Sequence, residues 1–311
     1  MSETTHERAT SAAPPGSGEH LSAAELAARH GLTVSGARPS LPQYVRQLWG
    51  RRHFILAFSQ AKLTAQYSQA KMGQIWQVLT PLLNAFVYFL IFGLLLQGRG
   101  GMNNAEYVPF LVIGVFLFTF TQQSVMSGVK AIPGNLGLVR ALHFPRASLP
   151  LSFVLQQLQQ LLYSTVVILV VLIGFGHYPG WTWLLVIPAL ALQLVFNSGL
   201  ALVFARWGAA VPDLAQLMPF VLRTVMYASG VLFPIQMVAE KADAPGWLAD
   251  IMLLNPISVF MELVRHATIT DGPHHGDLSG YFWLFAAGYA LLAFVGGFLY
   301  FWKAEERYGR G

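Results

Sequence analysis

The sequence predicts an all-α integral membrane protein: six transmembrane helices, an N-terminal amphipathic interface helix before them, and short re-entrant or external helices ahead of the last span. Three observations predict it. The 311 residues are 55% hydrophobic and only 11% charged, against about 25% charged in a soluble domain. Six long apolar stretches run from Ile75 to Trp302, each close to the roughly 20 residues that a helix needs to cross a bilayer. Lys and Arg collect in alternate loops, as the orientation of membrane helices requires.

Residues 1–40 are rich in Ala, Ser, Thr, Gly and Glu and read as a disordered cytoplasmic tail. Within it, Leu21–His30 has the pattern of a short helix with Ser22 as its cap and Glu25 three residues on. Residues 41–70 interleave Tyr44, Leu48, Trp49, Phe54, Ile55, Leu56 and Phe58 with Arg46, Arg51, Arg52 and Lys62. That mixture fits a helix lying in the membrane interface. The six-span domain occupies 71–311, with spans expected at Ile75–Leu96, Tyr107–Met126, Leu149–Gly174, Trp181–Phe204, Met218–Met237 and Tyr281–Trp302. Trp181, Trp183, Tyr281, Trp283 and Trp302 fall at span ends, where aromatic belts form.

Basic residues set the orientation. Arg46, Arg51, Arg52, Lys62 and Lys71 precede the first span, Lys130, Arg140 and Arg146 follow the second, Arg206 follows the fourth, and Lys303, Arg307 and Arg310 close the chain. The alternate loops hold few cations, and the last of them carries two cations against six acids, a net −4. Both termini are therefore expected in the cytoplasm. The overall net charge of +5 lies beside the spans, which fits membrane lipid and excludes a nucleic-acid role.

Much chemistry is excluded. With no cysteine there is no disulfide, thiol catalysis or Cys-ligated metal. None of the five lysines is followed by Ser or Thr, so no Walker-type phosphate loop exists, and ATP-driven work needs a separate ATPase. No metal site or cofactor is expected on this chain, His274 and His275 reading as solvated loop residues.

Five groups of residues carry the functional reading. Gln156, Gln157, Gln159 and Gln160 open the third span and must find a polar cavity or a helix partner. Arg223 in the fifth span reads either as a cation snorkelling to the interface or as a contact for a phosphate-bearing lipid. The aromatics Tyr88, Phe89, Phe92, Phe116, Phe118 and Tyr163 are either packing residues or faces on which sugar rings stack. Asn255 and Pro256 open a run to Ile269 that is too short to span, with Glu262 and Arg265 placed to pair at i,i+3. The loop between spans two and three contains Arg140, Phe144, Pro145 and Arg146, and reads either as a connector or as a short helix docking into a partner.

Three segments in order resemble a known family: Lys71-Met-Gly-Gln-Ile-Trp76 through Pro81; Asn135, Leu138, Val139, Arg140, Phe144-Pro145-Arg146 and Leu149-Pro150; and Asp213 to Pro234 followed by Leu254-Asn255-Pro256 and Arg265. They resemble the ABC-2-type permeases of O-antigen, galactan and teichoic acid exporters. Gln66 and Pro212 stand where that family often has arginine. The resemblance implies a homodimer in the bacterial plasma membrane, two copies of a cytoplasmic ATPase that bind ATP and Mg, and a lipid-linked glycan passing an aromatic-lined channel. It also implies that the interface helix with Arg51 and Arg52, and the loop with Arg140, Phe144, Pro145 and Arg146, contact the ATPase. An exporter of small lipids or drugs, and an enzyme acting on polyprenyl-linked sugars, are the competing readings.

Overall fold

The computed structural model describes residues 39–66, 68, 71–95, 102–142, 144–235, 246–269 and 279–308. Residues 1–38 with the helix expected there, positions 67, 69 and 70 of the interface segment, the last residues of the first and fifth expected spans, and His274 and His275 lie outside the described residues.

Among the described residues the fold is wholly helical. In chain order the α-helices are α1 (Leu41–Gly50), α2 (Arg52–Gln66), α3 (Trp76–Tyr88), α4 (Asn104–Ala131), α5 (Leu136–Ala141), α6 (Ser148–Gly174), α7 (Val186–Ala210), α8 (Leu214–Ala228), α9 (Gly246–Leu253), α10 (Pro256–Thr268) and α11 (Ser279–Trp302). A π-helical turn, Phe89–Leu95, prolongs α3, and a 3-10 turn, Trp181–Leu185, leads into α7. Five of these segments are long and apolar enough to cross a membrane: Val78–Leu95, Asn104–Ala131, Ser148–Gly174, Trp181–Ala210 and Gly280–Trp302.

Helix α4 is the central post. Its apolar window is 78% buried within the molecule, against 17% for the first span. Its start is fixed by a reciprocal cap: Asn103 Oδ1 accepts from the Glu106 N–H at 3.0 Å, and Glu106 Oε2 accepts from the Asn103 N–H at 3.3 Å. This N-x-x-E signal starts the helix three residues before the expected Tyr107.

Helix α7 packs between α4 and α11. Apolar side chains gain nothing by leaving lipid for one another, so close backbone approach at small residues supplies the contact. A Cβ on Gly208 would overlap the Val129 carbonyl of α4, and one on Gly199 would overlap the Ala293 backbone of α11. Helix α10 is wedged against α4, α7 and α11, and α2 lies along α6.

Two expectations are corrected. The interface segment is two helices, not one. Gly50 ends α1, Arg51 leaves helical geometry at φ −95° and ψ 11°, and α2 stops at Gln66. The fifth expected span, Met218–Met237, is not a continuous helix either. Helix α8 starts earlier, at Leu214, and ends at Ala228 after 15 residues, a rise of about 22 Å against about 30 Å of hydrocarbon. Gly230 then turns the chain at φ +62°, in the left-handed region open to glycine.

Candidate functional site

Chemistry concentrates at the two ends of the helix bundle. One end carries the α4–α6 loop, α1, α2 and the residues after α11, and is called the loop end below. The far end carries the start of α4, the turn after α8, and α10.

At the far end, the expected cap and ion pair are both present. Asn255 Oδ1 accepts from the Ile257 N–H at 3.1 Å, with Pro256 in the first turn of α10. Glu262 Oε1 accepts from Arg265 Nη1 at 2.8 Å. The environment of the pair was not legible in the sequence. Arg265 is 1% exposed. Its guanidinium lies over the Phe110 ring, 3.4 Å from the centroid, and fills space that Gly114 leaves open on α4.

The guanidinium donates to the carbonyls of Phe110 (3.1 Å), Gly230 (3.1 Å) and Val231 (3.3 Å). The Ser258 hydroxyl donates to the Ser229 carbonyl at 3.0 Å, and the Tyr107 phenol to the Leu232 carbonyl at 2.7 Å. Four successive carbonyls, 229 to 232, are thus satisfied by side chains from α4 and α10. The turn that follows α8 has no helix to pair its own carbonyls, and this set supplies their partners.

At the loop end, Phe144 is half-buried against Phe54 of α2, ring centroids 5.5 Å apart, in a chain of rings that continues to Phe58 and Phe153. Lys62 stands over Phe58 and Phe153 and donates to Asn135 Oδ1 at 3.4 Å. Pro145 is buried and Arg146 half-buried, while Arg51, Arg52 and Arg140 are exposed.

Arg146 meets an acid whose partners the sequence did not reveal. Glu305, beyond α11, accepts through Oε1 from the Arg146 N–H at 2.9 Å and through Oε2 from the Tyr44 phenol at 2.8 Å. Its backbone carbonyl accepts from Arg146 Nη1. The Tyr44 oxygen in turn accepts from the Ala147 N–H at 3.1 Å. Tyr44 and Ala147 are enclosed, with Ile132, Leu149, Leu202 and Phe301 around them. Burial raises the Glu305 carboxyl above the usual carboxylate range, and the hydrogen bonds from Arg146 and Tyr44 offset this only in part. Burial and then the Glu305 charge raise the Tyr44 phenol well above its ordinary value.

The expected substrate-path residues are dispersed. Tyr88, Phe89 and Phe92 are half-buried on the first span. Arg223 is exposed on α8 and, with Tyr227, lies within electrostatic reach of Tyr88. Phe116 and Gln160 line a cavity of about 20 Å³ with Thr119, Gln157 and Ser164. Phe118 is enclosed in the core. Gln156 donates to Gln66 of α2 at 2.9 Å. Tyr163 is exposed beside a groove of about 450 Å³ that Gln60, Thr64 and Gln159 also line. Among the described residues no group of acids and histidines is placed to hold a metal ion.

Five apolar helices of this length, with the capped helix α10 wedged among them, define a multi-pass membrane protein. Residues 54–269 match the ABC-2 type transporter family model, more than half of the sequence, and the chain belongs to that family. It is 26% identical over 188 residues to the O-antigen export system permease protein of Klebsiella pneumoniae, covering 60% of this chain and 71% of that protein. It is 27% identical over 217 residues to the O-antigen export system permease protein of Myxococcus xanthus, covering 70% and 80%. It is 24% identical over 249 residues to a polysialic acid transport protein of Escherichia coli, covering 78% and 91%.

Proposed function

We propose that this chain is the membrane-spanning permease of an ATP-driven polysaccharide exporter in the bacterial plasma membrane, working as a homodimer with two copies of a separate ATPase on lipid-linked glycan. The observation that carries this reading is the breadth of the match: three permease and transport relatives align over 60–78% of the chain, and the sequence holds no phosphate loop of its own. The chain supplies the conduit, and ATP with Mg is handled by the partner.

Parity supports a sixth crossing and termini on one side. Tyr44 and Glu305 share a hydrogen bond, so the two flanks of the spanning domain lie at one end. Five long segments alone leave them at opposite ends. Helix α8 with its turn reaches Tyr107 at the far end and completes an even number. The basic loops assign the loop end to the cytoplasm, where α1 and α2 lie along the membrane surface.

The substrate path runs between two copies. The first span and α8 flank the central post and turn Phe86, Leu90, Phe220 and Tyr227 outward. Pairing these faces with those of a second copy encloses a passage with Tyr88, Phe89 and Phe92 at its wall. Sugar rings stack on aromatic faces through their apolar CH groups, and Arg223, in a helix without an acid at ion-pair distance among the described residues, takes an anionic group of the substrate. The ATPase grips the loop end through Arg140, Phe144, Arg51 and Arg52.

Deleting the gene is expected to remove surface polysaccharide and leave its lipid-linked precursor inside the cell. The tagged chain is expected to bring down an ATPase. Unchanged surface glycan alongside lost efflux of small lipids or drugs establishes the competing exporter reading instead.

A further inference from the structure

The residues that fasten the α4–α6 loop lie outside the family match. That match ends at 269 and begins at 54, so Tyr44 precedes it and Glu305 follows it. Yet these two hold Arg146 and Ala147, which lie inside it, by three hydrogen bonds that span 103 to 159 residues of sequence, and a fourth joins Tyr44 to Glu305 across 261. The site is enclosed: Tyr44 is 1% exposed, Ala147 0% and Glu305 7%. Trp302 adds a bond from its indole N–H to the Pro39 carbonyl at 3.1 Å, tying the end of α11 to the residues before α1.

Placement gives the latch its meaning. Ala147 is the cap residue of α6 and has no side-chain acceptor of its own for that helix's first N–H groups. The Tyr44 oxygen takes the Ala147 N–H and the Glu305 carboxylate takes the preceding one, so two acceptors from distant parts of the chain sit at the positive start of a 27-residue helix. A push on the loop then has no slack to absorb it. Without the latch the loop keeps its contact with α2 through Phe144 but loses its hold on α1 and α11.

We propose that Glu305 and Tyr44 are positioning residues for transmission: they bind the α4–α6 loop to both ends of the chain, so that movement imposed on the loop shifts α1, α6 and α11 as one body. The proposal rests on the reading of that loop as the ATPase contact, and two independent measurements separate them.

The first measurement needs no ATPase. In the detergent-purified full chain, hydrogen exchange at the Arg146 and Ala147 amides is expected to rise about tenfold in Glu305→Ala and in Tyr44→Phe, the equivalent of one hydrogen bond to a charged group. Parental exchange in both variants overturns the latch. The second uses the complex in its own membrane. Tyr44→Phe, which removes one oxygen and preserves packing, is expected to keep chain abundance, ATPase co-purification and the KM for ATP while lowering glycan exported per ATP hydrolysed about tenfold. Glu305→Gln is expected to restore most of what Glu305→Ala loses. The double variant Tyr44→Phe with Glu305→Ala is expected to export no less than Glu305→Ala alone, since both act through one latch. Parental export per ATP in Tyr44→Phe and Glu305→Ala, or losses that multiply in the double variant, overturns the transmission role. Raised amide exchange in a chain that never binds an ATPase overturns the Proposed function and leaves the latch standing.

Discussion

Arg265 shows how much one side chain settles. A guanidinium offers five N–H donors in a fixed fork and keeps its charge. Here they are used on Glu262 and on carbonyls of α4 and of the turn after α8. Arg265→Ala strands those carbonyls and the Glu262 carboxylate, and is expected to destabilise the protein by ~3–5 kcal/mol, the cost of breaking a buried pair from one side. Arg265→Lys keeps the charge without the fork and is expected to fall between, as read from thermal unfolding in detergent. Gly114→Ala tests the niche from the other side, since its new methyl overlaps the guanidinium. Glu305 adds a pH dependence whose sign follows from its raised pKa. A carboxyl raised on folding contributes stability that is complete below the ordinary carboxylate range and lost as pH rises through the raised value. Exchange at Arg146 and Ala147, corrected for its intrinsic pH dependence, is therefore expected to increase over that window in the parent and to stay flat in Glu305→Gln, which cannot ionise.

At the scale of elements, the broken fifth segment is the decisive feature. Gly230→Ala is expected to cost about 1–2 kcal/mol for a left-handed backbone alone, and more because its Cβ falls 2.7 Å from Ile235 Cγ1. Gly176→Ala is the control: its φ is +92° but nothing lies within 4 Å, so it pays only the backbone term, and unfolding midpoints separate the two. This break was hard to read because hydropathy runs on through Val231, Leu232 and Phe233, and apolar averaging does not register a turn. Ser229-Gly230 and Pro234 were the signals for it. Long helices were legible, since length and apolarity are local properties. So were the α10 cap and the Glu262–Arg265 pair, which need only neighbours in sequence. Arg265 over Phe110 and Glu305 on Tyr44 were not, because each depends on segments 155 and 261 residues apart meeting in space. The split at Arg51 lay between these cases: Gly50 marked it, but the apolar-basic pattern on both sides reads as one helix.

For the whole molecule the governing arrangement is a buried post, α4, with thinly covered helices beside it and a separate fastening at each end. The far-end fastening fixes the turn after α8 to α4 and α10. The loop-end fastening fixes the α4–α6 loop to the chain's two flanks. A rigid frame of this kind lets motion enter at one end and be felt at the other, provided the two ends face opposite compartments. That condition is directly testable because the chain has no cysteine, so any introduced thiol is a unique reporter. Trp49 is 70% exposed and Leu142 52% at the loop end, while Tyr178 is 72% and Trp181 90% exposed at the far end. Each accepts a cysteine without loss of core packing, and the expected effect on stability is within about 0.5 kcal/mol. In intact cells or spheroplasts, a membrane-impermeant maleimide is expected to label Tyr178→Cys and Trp181→Cys at once, and Trp49→Cys and Leu142→Cys only after permeabilisation. The reverse pattern places the loop end outside, beyond reach of any cytoplasmic ATPase, and removes the basis for energy entering through Phe144 and Arg146. Labelling of all four from one side shows that α6, which lies between Leu142 and Tyr178, does not cross the membrane, and removes the condition that the two ends face opposite compartments.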